Sequence, residues 1–289
     1  MSSVAFFVVM NNLTKYSTIP SEQKVFIRSL VGMAIVFAMA RVGMTKIEFN
    51  NLRLLALRGG LGALSVLAYF YSIDNTTLGR ASFFQFTYPA WGALFSFLFL
   101  KEALGWRRVP AMLLTFAGAY LILFSNGGLS LADVNRGDIS GVLCGLFSGA
   151  AVTTVRACHK YDSTHMIFLF FTASAVVLGG AVTWARGSYV PPDASGWAVL
   201  VAIGVTGTVA QLLFTAGYRY LDVAAGGSIA MLQAPLSAIA AWVIFKEGMA
   251  GQSILGGAFV LAGGAFLAMT SRGVQLDHTQ NTREAAAHH

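Results

Sequence analysis

Phe99-Leu100-Lys101-Glu102 closes one apolar run of this chain, and Ile244-Phe245-Lys246-Glu247 closes another 145 residues later. The surroundings repeat in the same order. Ala117-Gly118-Ala119 is echoed by Ala262-Gly263-Gly264 at the same offset, and Pro89 by Pro235 at an offset of 146. Pro, Lys-Glu and Ala-Gly recurring in order, each in the corresponding apolar run, mark a duplicated unit.

Composition says what kind of unit is duplicated. The 289 residues are 56% hydrophobic and 11% charged, with a mean hydropathy of +0.67, where a soluble domain carries roughly 25% charged residues. This excludes a soluble globular class, and it excludes disorder, which needs the opposite balance. Two cysteines, Cys144 and Cys158, cannot staple a chain of this length and read as small packing residues. The net charge of +7 fits the Lys/Arg excess of cytoplasmic loops against an anionic leaflet. No nucleic-acid partner is expected, because no basic patch with interleaved aromatics is present.

Apolar runs long enough to span a hydrocarbon core fall at about 25–41, 54–73, 79–100, 107–124, 139–158, 164–185, 196–217, 223–245 and 251–270. A tenth opens the chain: Val4 to Met10 is apolar, but Asn11, Asn12 and Lys15 follow. It is read as a short, partly polar first helix or as the end of a longer one, and it lacks the basic start and A-x-A site of a cleaved signal peptide. The expected fold is all-α and polytopic, with ten transmembrane helices. They divide into a first five-helix unit at 1–125, a linker at 126–138, a second unit at 139–271 and a polar tail at 272–289. Because five is odd, the second unit enters the membrane upside down, which makes an inverted repeat, the plan associated with alternating access.

Orientation follows from loop charges. With the N-terminus inside, Arg41, Lys46, Arg53, Lys101, Arg107, Arg108, Arg156, Lys160, Arg219 and Arg272 lie inside, against Lys15, Lys24, Arg80, Arg136, Arg186 and Lys246 outside. Ten against six favours both termini in the cytoplasm.

Two stripes suggest a site. Arg58, Gly62, Ser65, Tyr69 and Ser72 share one face of the third span, and Gly204, Thr208, Gln211, Thr215 and Tyr218 share one face of the eighth. Each of the second five lies 146 residues after its counterpart. The spacing predicts a shared cavity, where Arg58 and Gln211 avoid lipid; ordinary close packing of small residues between helices is the other reading of the same stripes. Ser82, Gln85, Thr87 and Tyr88 precede Pro89, and Ser228 and Gln233 precede Pro235. A proline within a span frees a carbonyl that lipid cannot satisfy, so both prolines are expected to bend their helices beside the site or merely for packing. The candidate binding residues are Arg58, Ser65, Tyr69, Gln85, Tyr88, Thr208, Gln211, Thr215, Tyr218 and Gln233. Gly141, Gly145 and Gly149, like Gly59 and Ala63, read as packing ridges. Glu102 and Glu247 read as headgroup-level ion-pair partners, Arg28 as a side chain that snorkels to the surface, and His159 and His165 as interfacial.

No G-x-x-x-x-G-K-[ST] loop, H-E-x-x-H or C-x-x-C occurs, and no Asp or Glu stands in the middle of an expected span. No ATP-driven pump, cofactor or metal site is expected, and no nucleophile with its base shares a helix face, which argues against an enzyme. What remains is a cation, amides, hydroxyls and aromatic rings, suited to a neutral or zwitterionic solute or to an anion held by Arg58.

These features together resemble the EamA family of the drug/metabolite transporter superfamily. The resemblance rests on the five-plus-five plan, Arg58-Gly59-Gly60-Leu61-Gly62, the segments from Pro89 to Lys101-Glu102 and from Pro235 to Lys246-Glu247, and the Ala-Gly pairs after them. It implies an inner-membrane carrier of amino acids, nucleotide-linked metabolites or other small solutes, often outward, with a central cavity made by the first four helices of each half. The short first helix departs from that pattern. The expected function is secondary transport of a small polar metabolite, with membrane lipids as the surroundings and a monomer or homodimer as the unit; a channel or lipid scramblase is the alternative.

Overall fold

The computed structural model describes residues 2–45, 48–100, 106, 108–123, 134–220, 230–246, 248, 250–266 and 269, and every regular element among them is a helix. In chain order these are α1 Ser2–Tyr16, α2 Ser21–Arg41, α3 Leu52–Asn75, α4 Leu78–Gln85, α5 Tyr88–Leu100, α6 Arg108–Leu123, α7 Arg136–Cys158, α8 Thr164–Ala185, α9 Ala194–Gly217 and α10 Gln233–Phe245, followed by α11 Gly251–Phe266. α2, α3, α7, α8 and α9 are long and apolar enough to cross a membrane, while α10 and α11 are shorter apolar helices. Lys46, Lys101, Glu102, Arg107, Ser228, Glu247, Arg272, most of the 126–138 linker and the 272–289 tail lie outside the described residues.

Local chemistry starts the long helices where the apolar runs begin, or slightly before. Asn51, Ser163 and Asp193 each accept a hydrogen bond from the first turn of α3, α8 and α9, which satisfies donors that a helix end otherwise leaves open. α7 begins at Arg136, ahead of the apolar run, because Asn135 and Asp138 form a reciprocal capping box.

The expected fourth span is two helices. Thr87 and Phe86 interrupt it, and Pro89 becomes the second residue of α5, a position where its missing N–H costs nothing. The Thr87 hydroxyl donates to the Phe84 carbonyl at 2.8 Å, supplying a partner at the break. Residues 230–231 are helical and Leu232 is a turn before α10. Leu232 stands 146 residues after Phe86, as Pro235 does after Pro89.

α1 extends through the residues that made its run look incomplete. Asn11 and Thr14 are fully buried: the Asn11 amide donates to Ser237 Oγ of α10 at 3.2 Å, and the Thr14 hydroxyl donates to the Met10 carbonyl. Lys15 Nζ donates to the carbonyls of Ile73 and Thr76 at 3.0 and 2.8 Å, completing the C-terminal end of α3.

Lys15, Lys24 and Arg80 are therefore poor loop charges. Lys24 is fully buried, pairs with Asp74 at 2.6 Å and donates to the Thr14 carbonyl. Arg80 pairs with fully buried Asp138 at 2.8 Å, tying α4 to α7. Glycine ridges set the closest approaches. A Cβ on Gly118 would sit 2.5 Å from the Gly256 carbonyl, so α6 and α11 touch backbone to backbone. Gly141, Gly145 and Gly149 leave α7 the same freedom against Phe84, Thr87 and Trp91, as the ridge pattern predicts.

Candidate functional site

A cavity of about 80 Å³ lies inside the bundle, room for roughly five waters at about 15 Å³ each. α3 supplies Arg58, Gly62, Ser65, Val66 and Tyr69; α1 supplies Phe7 and Met10, and α2 supplies Arg28. The α4–α5 break places Gln85, Phe86 and Tyr88 on the wall. Ser148, Ala151 and Val152 come from α7, Phe171 from α8, Gln211 and Phe214 from α9, Ala230 from the stretch just before α10 and Gln233 from its first position. No Asp or Glu is among these lining residues.

Seven of the ten candidates meet here: Arg58, Ser65, Tyr69, Gln85, Tyr88, Gln211 and Gln233. Their polar groups are positioned by neighbours. Ser65 Oγ lies 2.6 Å from Ser148 Oγ, with the Cys144 thiol 3.8 Å away. Tyr69 Oη shares a hydrogen bond with Ser82 Oγ at 3.1 Å, and Gln85 Oε1 has no hydrogen-bond partner. Arg58 Nε and Nη1 are likewise without one, and the guanidinium lies 5.0 Å from the Phe171 ring centroid.

Thr208, Thr215 and Tyr218 are not on the wall. Thr208 packs against α2, its Oγ1 2.9 Å from where a Cβ on Gly32 would stand, and Gly204 fits against Val31 in the same way. Thr215 is buried, with its carbonyl 2.9 Å from His159 Nε2. Tyr218 stands behind Tyr88, hydroxyl to hydroxyl at 2.9 Å. Helical spacing puts the four stripe residues of α9 and its cap Tyr218 on one face, but Gly204 and Thr208 meet α2, Thr215 meets His159 and Tyr218 meets Tyr88, and only Gln211 among them reaches the cavity.

Arg28 corrects the sequence reading in the opposite sense. It does not snorkel: it is 4% exposed, turned inward, and lies 5.7 Å from the ring centroids of both Phe70 and Phe171. A trace was present in the sequence, since Arg28 and Arg58 each stand in an apolar stretch with no acidic residue within four positions. Ser148 and Phe171 carried no comparable mark, because hydroxyl and aromatic residues are common throughout these spans.

The EamA-like transporter family matches residues 1–124 and 135–269. The chain belongs to that family. Among curated relatives, this EamA chain is similar to the pseudopaline exporter of Pseudomonas aeruginosa, 27% identical over 92% of this chain and 93% of that one. It is also similar to a riboflavin transporter of Rhizobium johnstonii, 26% identical over 90% and 86%. A solved crystal structure shares its fold with a TM-score of 0.71 at 18% identity, covering 94% of this chain and 96% of the other. The EamA chain is thus a multi-pass helical membrane protein of a family of small-metabolite transporters.

Proposed function

We propose that this EamA protein is a secondary transporter that moves a small polar metabolite, an amino acid or related zwitterionic or anionic solute, across the inner membrane by alternating access, in export or exchange. The observation that carries this reading is the composition of the cavity wall: helices from residues 1–125 and from 139–271 both contribute, and they present amides, hydroxyls, aromatic rings and arginine rather than an apolar plug. Such groups are expensive inside a bilayer unless they serve a solute path.

Two oppositely oriented five-helix halves fit the equal spacing of the breaks at Phe86 and Leu232 and the two matched segments of the family, with α4 and α5 counted as one interrupted span. Both termini inside fits the charge count better once Lys15, Lys24 and Arg80 are set aside as buried or helix-tying groups. In this reading Arg58 holds an acidic group of the solute, Gln85, Gln211 and Gln233 hydrogen-bond its polar substituents, Ser65 reads a further polar edge, and Tyr69 and Tyr88 are walls with polar tips. Thr208, Thr215 and Tyr218 support that set by packing rather than by contact, and Pro89 and Pro235 keep the cavity-side breaks open.

Counterflow in proteoliposomes is the test. Vesicles preloaded with unlabelled amino acids should transiently accumulate the labelled solute, a carrier property that a channel or scramblase lacks. Equilibration without overshoot for every solute that crosses would remove the carrier reading.

A further inference from the structure

Arg28 of α2 and Arg58 of α3 approach one aromatic ring, their guanidinium carbons 5.7 and 5.0 Å from the Phe171 centroid. They are 4% and 3% exposed. Nε and Nη1 of both have no hydrogen-bond partner, and none of the ion pairs among the described residues involves either arginine. Space has been cleared for each. The Arg58 Nη1 atom occupies the place where a Cβ on Gly62 would stand, and Arg28 Nε lies 2.5 Å from a Cβ position on Gly207.

Burying one cation without a counter-ion is costly, and a second like charge in the same low-dielectric pocket adds repulsion. The ring face offsets part of this but leaves the donors on Nε and Nη1 unmet. Planar guanidinium forks match carboxylate oxygens two by two. A single carboxylate brings one negative charge, and the wall supplies no acid to balance the second arginine.

We infer that the cavity takes a small solute bearing two anionic groups, a dicarboxylate in its simplest form, with one group on Arg28, the other on Arg58, and the connecting chain over Phe171. Transport of that solute rests on the carrier reading above; its binding does not.

The test uses the purified full chain in vesicles of neutral phosphatidylcholine, where lipid cannot supply the anion. Succinate, glutarate and adipate are each compared with their own monoamides by thermal unfolding and by counterflow. At least one dianion should bind about tenfold or more tightly than its monoamide. Arg28→Gln and Arg58→Gln should each raise the unfolding temperature of the ligand-free protein, because an unmatched charge is removed, and should each abolish the preference. If Arg28→Gln does not fold, Arg28→Lys, which keeps the charge but loses the fork, should weaken the preference.

Equal binding of dianions and monoamides, no binding of any dianion, or an Arg28→Gln protein that melts lower and keeps the preference overturns the clamp. So does stabilisation of the wild type, but not of Arg28→Gln, by phosphatidylglycerol in place of any dianion, which would assign the arginines to lipid. Counterflow of other solutes without dianion preference sinks the clamp and spares the carrier; dianion binding without counterflow of any solute does the reverse.

Discussion

Tyr88 and Tyr218 share a hydrogen bond between their hydroxyls at 2.9 Å, and both residues are buried. Tyr88 lies at the start of α5 on the cavity wall, and Tyr218 caps α9 behind it. The pair joins the start of α5 to the C-terminal end of α9. Removing either hydroxyl deletes this buried bond, at about 1 kcal/mol. Tyr88→Phe and Tyr218→Phe are each expected to lower the unfolding temperature by about 2–4 °C, and the double variant should melt no lower than the worse single one. Strict additivity in that double-mutant cycle would deny the coupling.

The Arg80–Asp138 pair is expected to dominate the stability of the α4–α7 contact. Asp138→Ala removes one partner of a buried guanidinium and half of the α7 capping box, a loss of about 2–5 kcal/mol. Arg80→Met together with Asp138→Leu should recover part of it, because both members of the buried ion pair then leave the interior together. Chemical or thermal unfolding in detergent measures both. A single Asp138→Ala variant as stable as the wild type would contradict the assignment.

Packing and wall positions on the stripes should separate cleanly in transport. Thr208→Val changes a side chain that packs against Gly32 and does not line the cavity, and it is expected to leave solute flux within about twofold whatever its effect on stability. Gly59→Val places atoms against Ser174 and the Phe170 carbonyl and should cost about 1–3 kcal/mol or more of stability. Gln211→Ala should reduce flux while leaving folded yield unchanged. Parallel flux loss in Thr208→Val and Gln211→Ala would show that the two residues play one role.

His159 gives a sign for acid sensitivity. It caps α7 half-buried; burial lowers its pKa below the ordinary 6.5, Arg219 and Arg58 push the same way, and the Thr215 carbonyl opposes them. Because the folded value is the lower one, the unfolded chain binds the extra proton first. Stability from this group is therefore complete above about pH 6.5 and is lost as pH falls below it. The unfolding temperature of the wild type should fall faster between pH 7 and pH 5 than that of His159→Gln. Parallel pH curves would remove His159 as the cause.

The sequence by itself determined that this chain is helical and membrane-spanning, where the five long apolar helices lie, and that Pro89 and Pro235 occupy matching places. These follow from hydropathy and from backbone rules that act within a few residues. Seven of the ten candidate side chains on the cavity wall were also legible, because a polar residue isolated in an apolar run must find a polar neighbour. Arg28 carried that mark as plainly as Arg58, and the reading of it as a snorkelling side chain rested only on its nearness to the helix start.

Tertiary structure decided the rest. Period fixes which residues share a helix face, but not which way that face turns, so α3 offers its stripe to the cavity while α9 packs Gly204 and Thr208 against Val31 and Gly32 and Thr215 against His159. Asn11 and Lys15 made the first apolar run look incomplete, yet α1 continues through them, because their partners come from α10 and the end of α3. Two arginines distant in spacing meet over Phe171 for the same reason: side-chain direction depends on the rotation and approach of neighbouring helices, and those are set by packing across the whole bundle.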